Sequence, residues 1–179
     1  MVALFLYGHS VDSPLTNIYT GINLLLVVLF AVINHWARFP ARVLWGIALV
    51  GLGNMLGGVL LVGGEPLYMA EFIGPLRYDK FFHASAALVG VFIAWAAMER
   101  WAGEGFHFGG LLFLTFLVTM GGGAVVEIAE LIGSSLGDVH VGDYGNNALD
   151  LVANAVGAMV GVAILALATA RSSERGVLG

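Results

Sequence analysis

Apolar residues in this chain come in long unbroken blocks, with neither the period-two alternation of a half-buried strand nor the single stripe of a surface helix. Five blocks stand out, at about 18–36, 43–62, 80–98, 109–133 and 147–170. Each approaches the ~20 residues an α-helix needs to cross ~30 Å of hydrocarbon, so the pattern predicts five spanning helices. The connections are short, and residues 1–179 read as one integral membrane domain, an all-α polytopic helix bundle. Between the second and third blocks, GGEPLYMAEFIGPLRY (63–78) is interrupted by Gly63, Gly64, Pro66 and Pro75 and is too polar to cross. An interfacial or re-entrant segment is expected there. The leading MVALFLY has a short apolar run with no basic residues before it, and does not read as a cleavable signal.

Composition removes the soluble alternative. Hydrophobic residues make up 59% of the chain and charged residues 11%, with a mean hydropathy of +0.92, far from the range of soluble domains. The absence of cysteine excludes disulfides, thiolate metal sites and cysteine nucleophiles. Seven basic residues, mostly at span ends, cannot form the electrostatic footprint of a nucleic-acid binder.

Charge placement predicts orientation. With five spans, the first and third connections and the C-terminal tail share a side and hold Arg38, Arg42, Arg100, Arg171 and Arg175, against Arg77 and Lys80 on the other. The positive-inside rule then places the N-terminus outside and the C-terminus in the cytoplasm. Trp36, Trp45, Trp95 and Trp101 fall toward the cytoplasmic ends, and Tyr7, Tyr19, Tyr68, Tyr78 and Tyr144 toward the outer ends. Acidic residues gather on the outer side: Asp12, Glu65, Glu71, Asp79, Asp138 and Asp143, followed by Glu127, Glu130 and Asp150 within or at the ends of spans.

Three segments bring ionisable groups to that outer level. In YDKFFH, Asp79 and His83 stand at i and i+4 on one helix face, ~6 Å apart along the axis. In VVEIAELIG, Glu127 and Glu130 share a face at i and i+3. On the fifth span Asp143, Asn147, Asp150, Asn154, Gly157 and Gly161 follow one another by four, three, four, three and four. This single stripe is polar at one end and a glycine packing seam at the other. Small residues four apart let helices approach closely in lipid, so the seam turns the polar half inward. Intramembrane carboxylates avoid lipid, so all three sets are expected in one outward-opening pocket. One imidazole among carboxylates and amide oxygens suits a divalent ion such as Mg, Mn, Fe or Zn. Asp79, His83 and Asp150 are the candidate metal ligands and Glu127 or Glu130 the candidate catalytic base. Lys80, Asp143, Asn147 and Asn154 are expected to contact the ligand or support the metal ligands.

Other polar residues have simpler readings. Ser134 and Ser135 read as a helix end, His140 as an exposed loop histidine, and His9, His35 and His107 as interfacial groups. GLGNMLGG (51–58) is a packing seam in which Asn54 can bond across helices, and GGG (121–123) is a close-approach or kink site.

DKFFH followed by DLVANAVGAMVG resembles the VanZ-like membrane family at Asp79, Lys80, His83, Asp150, Asn154, Gly157 and Gly161. EIAE and GDYGNNALD are similar to the bacterial inner-membrane proteins of the YjdF type, at Glu127, Glu130, Gly142, Asp143, Asn146 and Asp150. The likeness covers roughly residues 77–165 and differs from the usual VanZ-like pattern in having Glu130 where a glutamine is common. It implies a cell-envelope membrane protein and supplies a fold and a polar site more readily than a reaction.

Two functional classes follow. One is binding of a cation together with a polar or lipid-linked ligand, extending to metal-assisted attack of water on a lipid-linked substrate. The other is a non-catalytic accessory subunit, in which the polar cluster orients helices and the first two spans dock onto a larger membrane complex. Membrane lipids are the expected surroundings in both, and a homo-oligomer is compatible with either. A reporter fused to the C-terminus is expected to be active on the cytoplasmic side; activity on the outer side would reverse the orientation.

Overall fold

The structure, a computed structural model, describes residues 1–101, 107–136 and 144–177, with side chains described through residue 132 in the fifth helix and residue 170 in the sixth. Helices α1 (Val2–Ser10), α2 (Thr16–Ala37), α3 (Ala41–Val59), α4 (Tyr78–Trp101), α5 (Phe108–Leu136) and α6 (Tyr144–Val177) account for nearly all of it. Five of them, α2 to α6, are long and apolar enough to cross a membrane. The chain divides into two compact units, Met1–Phe82 and His83–Gly179, and the division falls inside α4.

The first unit is built around small residues of α3 that admit aromatic rings. A side chain at Gly58 would run into the ring of Tyr19 on α2, and one at Gly57 into the ring of Tyr68. Asn54 accepts a hydrogen bond from the Tyr68 hydroxyl at 2.7 Å, and the Tyr78 hydroxyl donates to the Gly53 carbonyl at 2.9 Å. The inter-element bond expected of Asn54 therefore goes to a short 3-10 turn, Leu67–Met69, and not to a neighbouring helix. The α2–α3 corner is set by Pro40, which disfavours helix at the residue before it. Arg38 turns the chain in the left-handed region at φ 47°, and Asn34 Oδ1 accepts from the Phe39 amide at 2.8 Å to close α2.

Two features of this unit add to what the sequence predicts. The leading apolar run forms α1, nine residues long and too short to span. The interval expected as an interfacial segment holds two antiparallel hairpins, β1 (Leu61–Val62) with β2 (Glu65–Pro66) and β3 (Glu71–Ile73) with β4 (Leu76–Arg77). Gly63 and Gly64, at φ 64° and 93°, supply the two positive φ angles of a type I′ turn. The second span consequently ends at Val59 and not near residue 62, because Leu61 and Val62 leave the helix to pair as a strand.

The second unit packs α4 from His83 onward with α5 and α6. On α6 the buried positions are Asp150, Asn154, Gly157, Ala158, Gly161 and Leu165, the stripe that the three-and-four spacing predicts. Below the polar end, Ala87, Val91, Ala158 and Leu165 form an apolar core with Phe92, Trp95, Phe116 and Met120 packed against it. Glycine creates the close approach: a Cβ at Gly157 would overlap the Ala84 carbonyl of α4, and one at Gly161 would lie 2.9 Å from Val91 Cβ. Gly157→Ala is expected to cost about 1–3 kcal/mol and to lower the thermal midpoint in detergent. Gly121→Ala, with nothing within 4 Å, is expected to leave it unchanged or raise it; equal behaviour of the two variants would refute the seam.

Candidate functional site

Three helices of the second unit each contribute one buried ionisable side chain. His83 of α4 is 5% exposed, Glu127 of α5 is 4% exposed and Asp150 of α6 is 0% exposed. The imidazole lies between the two carboxylates: Nδ1 is 3.3 Å from Glu127 Oε1, and Nε2 is 3.7 Å from Asp150 Oδ1. Each ring nitrogen thus faces a carboxylate from a different helix. In hydrocarbon such groups are stable only when paired, hydrogen-bonded or bound to a cation.

Amide side chains of α6 bond one carboxylate of the centre and the backbone that carries the other. Asn146 Nδ2 donates to Asp150 Oδ2 at 2.8 Å, one turn away on the same helix, and Asn147 Nδ2 reaches the Glu127 carbonyl oxygen on α5 at 3.4 Å. Asn154 is 3% exposed, and its Nδ2 has no hydrogen-bond partner among the described residues. Its room comes from Gly123, since a Cβ there would stand 2.8 Å from Nδ2. Deeper in α5, Thr115 and Thr119 are buried and return their hydroxyls to carbonyls one turn earlier, at 2.8 and 2.9 Å. They satisfy themselves locally and add no free group.

The remaining candidates are placed as follows. Asp79 stands in the first turn of α4, four residues before His83. Its carboxylate pairs with the Lys80 ammonium at 2.9 Å, the two side chains 18% and 11% exposed. Glu130 is half-buried on α5, as is Asn147 on α6. Asp143, with Asp138, His140 and Gly142, lies outside the described residues. The three ionisable side chains of the centre lie almost wholly inside the protein. A groove of about 400 Å³ on α5 and α6 is lined by apolar residues including Phe113, Phe116 and Met159. Met159 is nine residues from Asp150, half a turn round the helix, so the groove looks away from the centre.

Sequence reasoning named His83, Glu127, Asp150 and Asn154 among its candidates but gave no role to Asn146 as the donor to Asp150, nor to Gly123 as the space for Asn154. The signal for both is a four-residue step: Asn146 precedes Asp150 by one turn, and Gly123 precedes Glu127 by one turn.

The fold and this buried histidine–carboxylate centre define a polytopic helical membrane protein with a polar core. The chain belongs to the family described as "Predicted membrane protein (DUF2238)", whose model matches residues 1–171. Comparison with curated proteins and with solved structures finds no match.

His83→Leu and Glu127→Leu singly leave a buried ionisable group without its neighbour, and each is expected to destabilise by about 3–5 kcal/mol. The double variant is expected to lose less than the sum, with a coupling of about 0.5–3 kcal/mol in a double-mutant cycle. Strict additivity in chemical denaturation would show that the two side chains do not interact.

Proposed function

We propose that Asp79, His83 and Asp150 bind a divalent cation beside Glu127, and that the protein uses it to hold a polar or lipid-linked ligand at the membrane. The observation that carries this reading is the imidazole set between two buried carboxylates, one at each ring nitrogen. With both carboxylates ionised and the imidazole protonated, the trio still bears one net negative charge. A divalent ion on a neutral imidazole and two carboxylates brings the sum to zero, which is the state low-dielectric surroundings favour. Nitrogen and carboxylate oxygen together suit Mn, Fe or Zn, with Mg less favoured by the imidazole.

In this reading His83 and Asp150 are metal ligands, and Asp79, one turn before His83 on α4, is the third. Lys80 offsets the charge of Asp79. Asn146 orients Asp150, as groups behind metal ligands commonly do. Glu127, or Glu130 one turn further along α5, is the base. Bound there, the ion would supply a Lewis acid for an oxygen of the ligand, with Glu127 or Glu130 placed to hold a proton beside it. Turnover of an envelope lipid of this kind is the enzymatic extension of the binding role. Kinship with VanZ-like proteins at Asp79, Lys80, His83, Asp150, Asn154, Gly157 and Gly161, and with YjdF-type proteins at Glu127, Glu130, Gly142, Asp143, Asn146 and Asp150, is part of the same proposal. So are a prokaryotic inner membrane, an outer N-terminus, a cytoplasmic C-terminus and access to the centre from the outer side.

A second reading has its own support. Complete burial of Asp150 and its bond from Asn146 suit a network that registers helices. Among the described spans α2 is the least buried, as fits a helix that docks on a larger complex. Metal analysis separates the two. Protein purified without chelator is expected to carry one divalent ion per centre, which His83→Ala and Asp150→Ala lose and Glu127→Gln largely keeps. Folded variants that match the wild type in metal content would assign the centre to structure alone.

A further inference from the structure

Resting on the cation reading above, we infer that Asn154 is the group that meets the ligand, and that the centre takes an oxyanion of the phosphate class alongside its cation. Three asparagines lie along the polar face of α6, and two have work inside the protein. Asn146 donates to Asp150 Oδ2, and Asn147 reaches the Glu127 carbonyl. Asn154 is buried as deeply as the carboxylates, yet its Nδ2 meets no acceptor among the described residues. A buried donor without an acceptor is a standing loss, and native interiors retain few of them without a use.

Its position links it to the centre. Asn154 stands one turn from Asp150 on the buried face of α6. Its Nδ2 lies against Gly123, which is one turn from Glu127 on α5. The carboxamide therefore occupies the floor between the two helices that carry the carboxylates, in room that any side chain at residue 123 would take. An N–H cannot serve a cation. Its complement is an oxygen lone pair, and Asp150 Oδ2, one turn away, already accepts from Asn146. A ligand oxygen seated on the ion supplies such a lone pair. A neutral imidazole, two carboxylates and a divalent ion sum to zero charge, so an oxyanion arriving there is not repelled.

The test uses the full chain in detergent, loaded with Mn2+ and titrated by calorimetry with inorganic phosphate, and separately with micelles carrying phosphatidic acid. Asn154→Leu removes the donor, with Asn154→Ala beside it in case the larger apolar group does not fold. The expected result is at least about a tenfold loss of phosphate affinity with Mn2+ affinity held within about threefold. Binding of inorganic phosphate would identify a free ligand, and binding of phosphatidic acid alone a lipid head group; the proposal holds in either case. Unchanged phosphate affinity in the variant overturns it. So does a parallel fall in Mn2+ affinity, which would make the carboxamide oxygen a metal ligand. Wild-type protein that binds Mn2+ but neither phosphate form overturns this inference and leaves the cation reading standing, whereas wild-type protein that binds no Mn2+ removes both.

Discussion

Hydrocarbon does not solvate charge, and the second unit of this protein is organised around that fact. A carboxylate or imidazole on a spanning helix must find a partner within the protein, and His83, Glu127 and Asp150 find one another. That encounter fixes which face of α4, α5 and α6 turns inward. The glycine seam acts in the same direction: Gly157 brings α6 onto the Ala84 backbone, and Gly161 brings it near Val91. Close packing at one end of the stripe and charge pairing at the other therefore reinforce a single helix register. Van der Waals contact and interhelical polar bonds are the forces available for this in lipid, where apolar burial alone drives little association.

Much of this was legible because it depends on helical period and hydropathy. Asn147, Asp150, Asn154, Gly157 and Gly161 repeat by three and four, and all are buried or half-buried on α6. The five apolar blocks became five spans, each beginning two to three residues earlier than the hydropathy suggested except for α5, which begins one earlier. Helices start in their polar flanks, so hydropathy places their N-terminal ends late. The hairpins were harder to see. Gly63–Gly64 breaks a helix and also makes a type I′ turn, and only the pairing of Leu61 with Pro66 and of Val62 with Glu65 distinguishes the two. The helix α1 was overlooked because its run, though apolar, is too short to read as a span.

At the centre, sequence showed which residue types face inward but not their partners. Spacing along one helix placed Asp150 and Asn154 on a common face, yet the setting of His83 between two carboxylates depends on contacts among α4, α5 and α6 that no single helix specifies. The same holds for Gly123, whose role follows from Asn154 on another helix. Asn146 and Asn154 both lie one turn from Asp150, and only coordinates reveal that one is bonded to it and the other is not.

The central claim is that His83 is held by carboxylates in a centre able to take a cation. Nitrogen NMR of histidine-labelled protein in detergent, with the His83 signal assigned by its loss in His83→Gln, tests this most directly. The expected spectrum has His83 ring nitrogens distinct from those of His9, His35 and His107 and displaced by stoichiometric Zn2+. A His83 signal that coincides with the exposed histidines and does not respond to the metal would contradict the account.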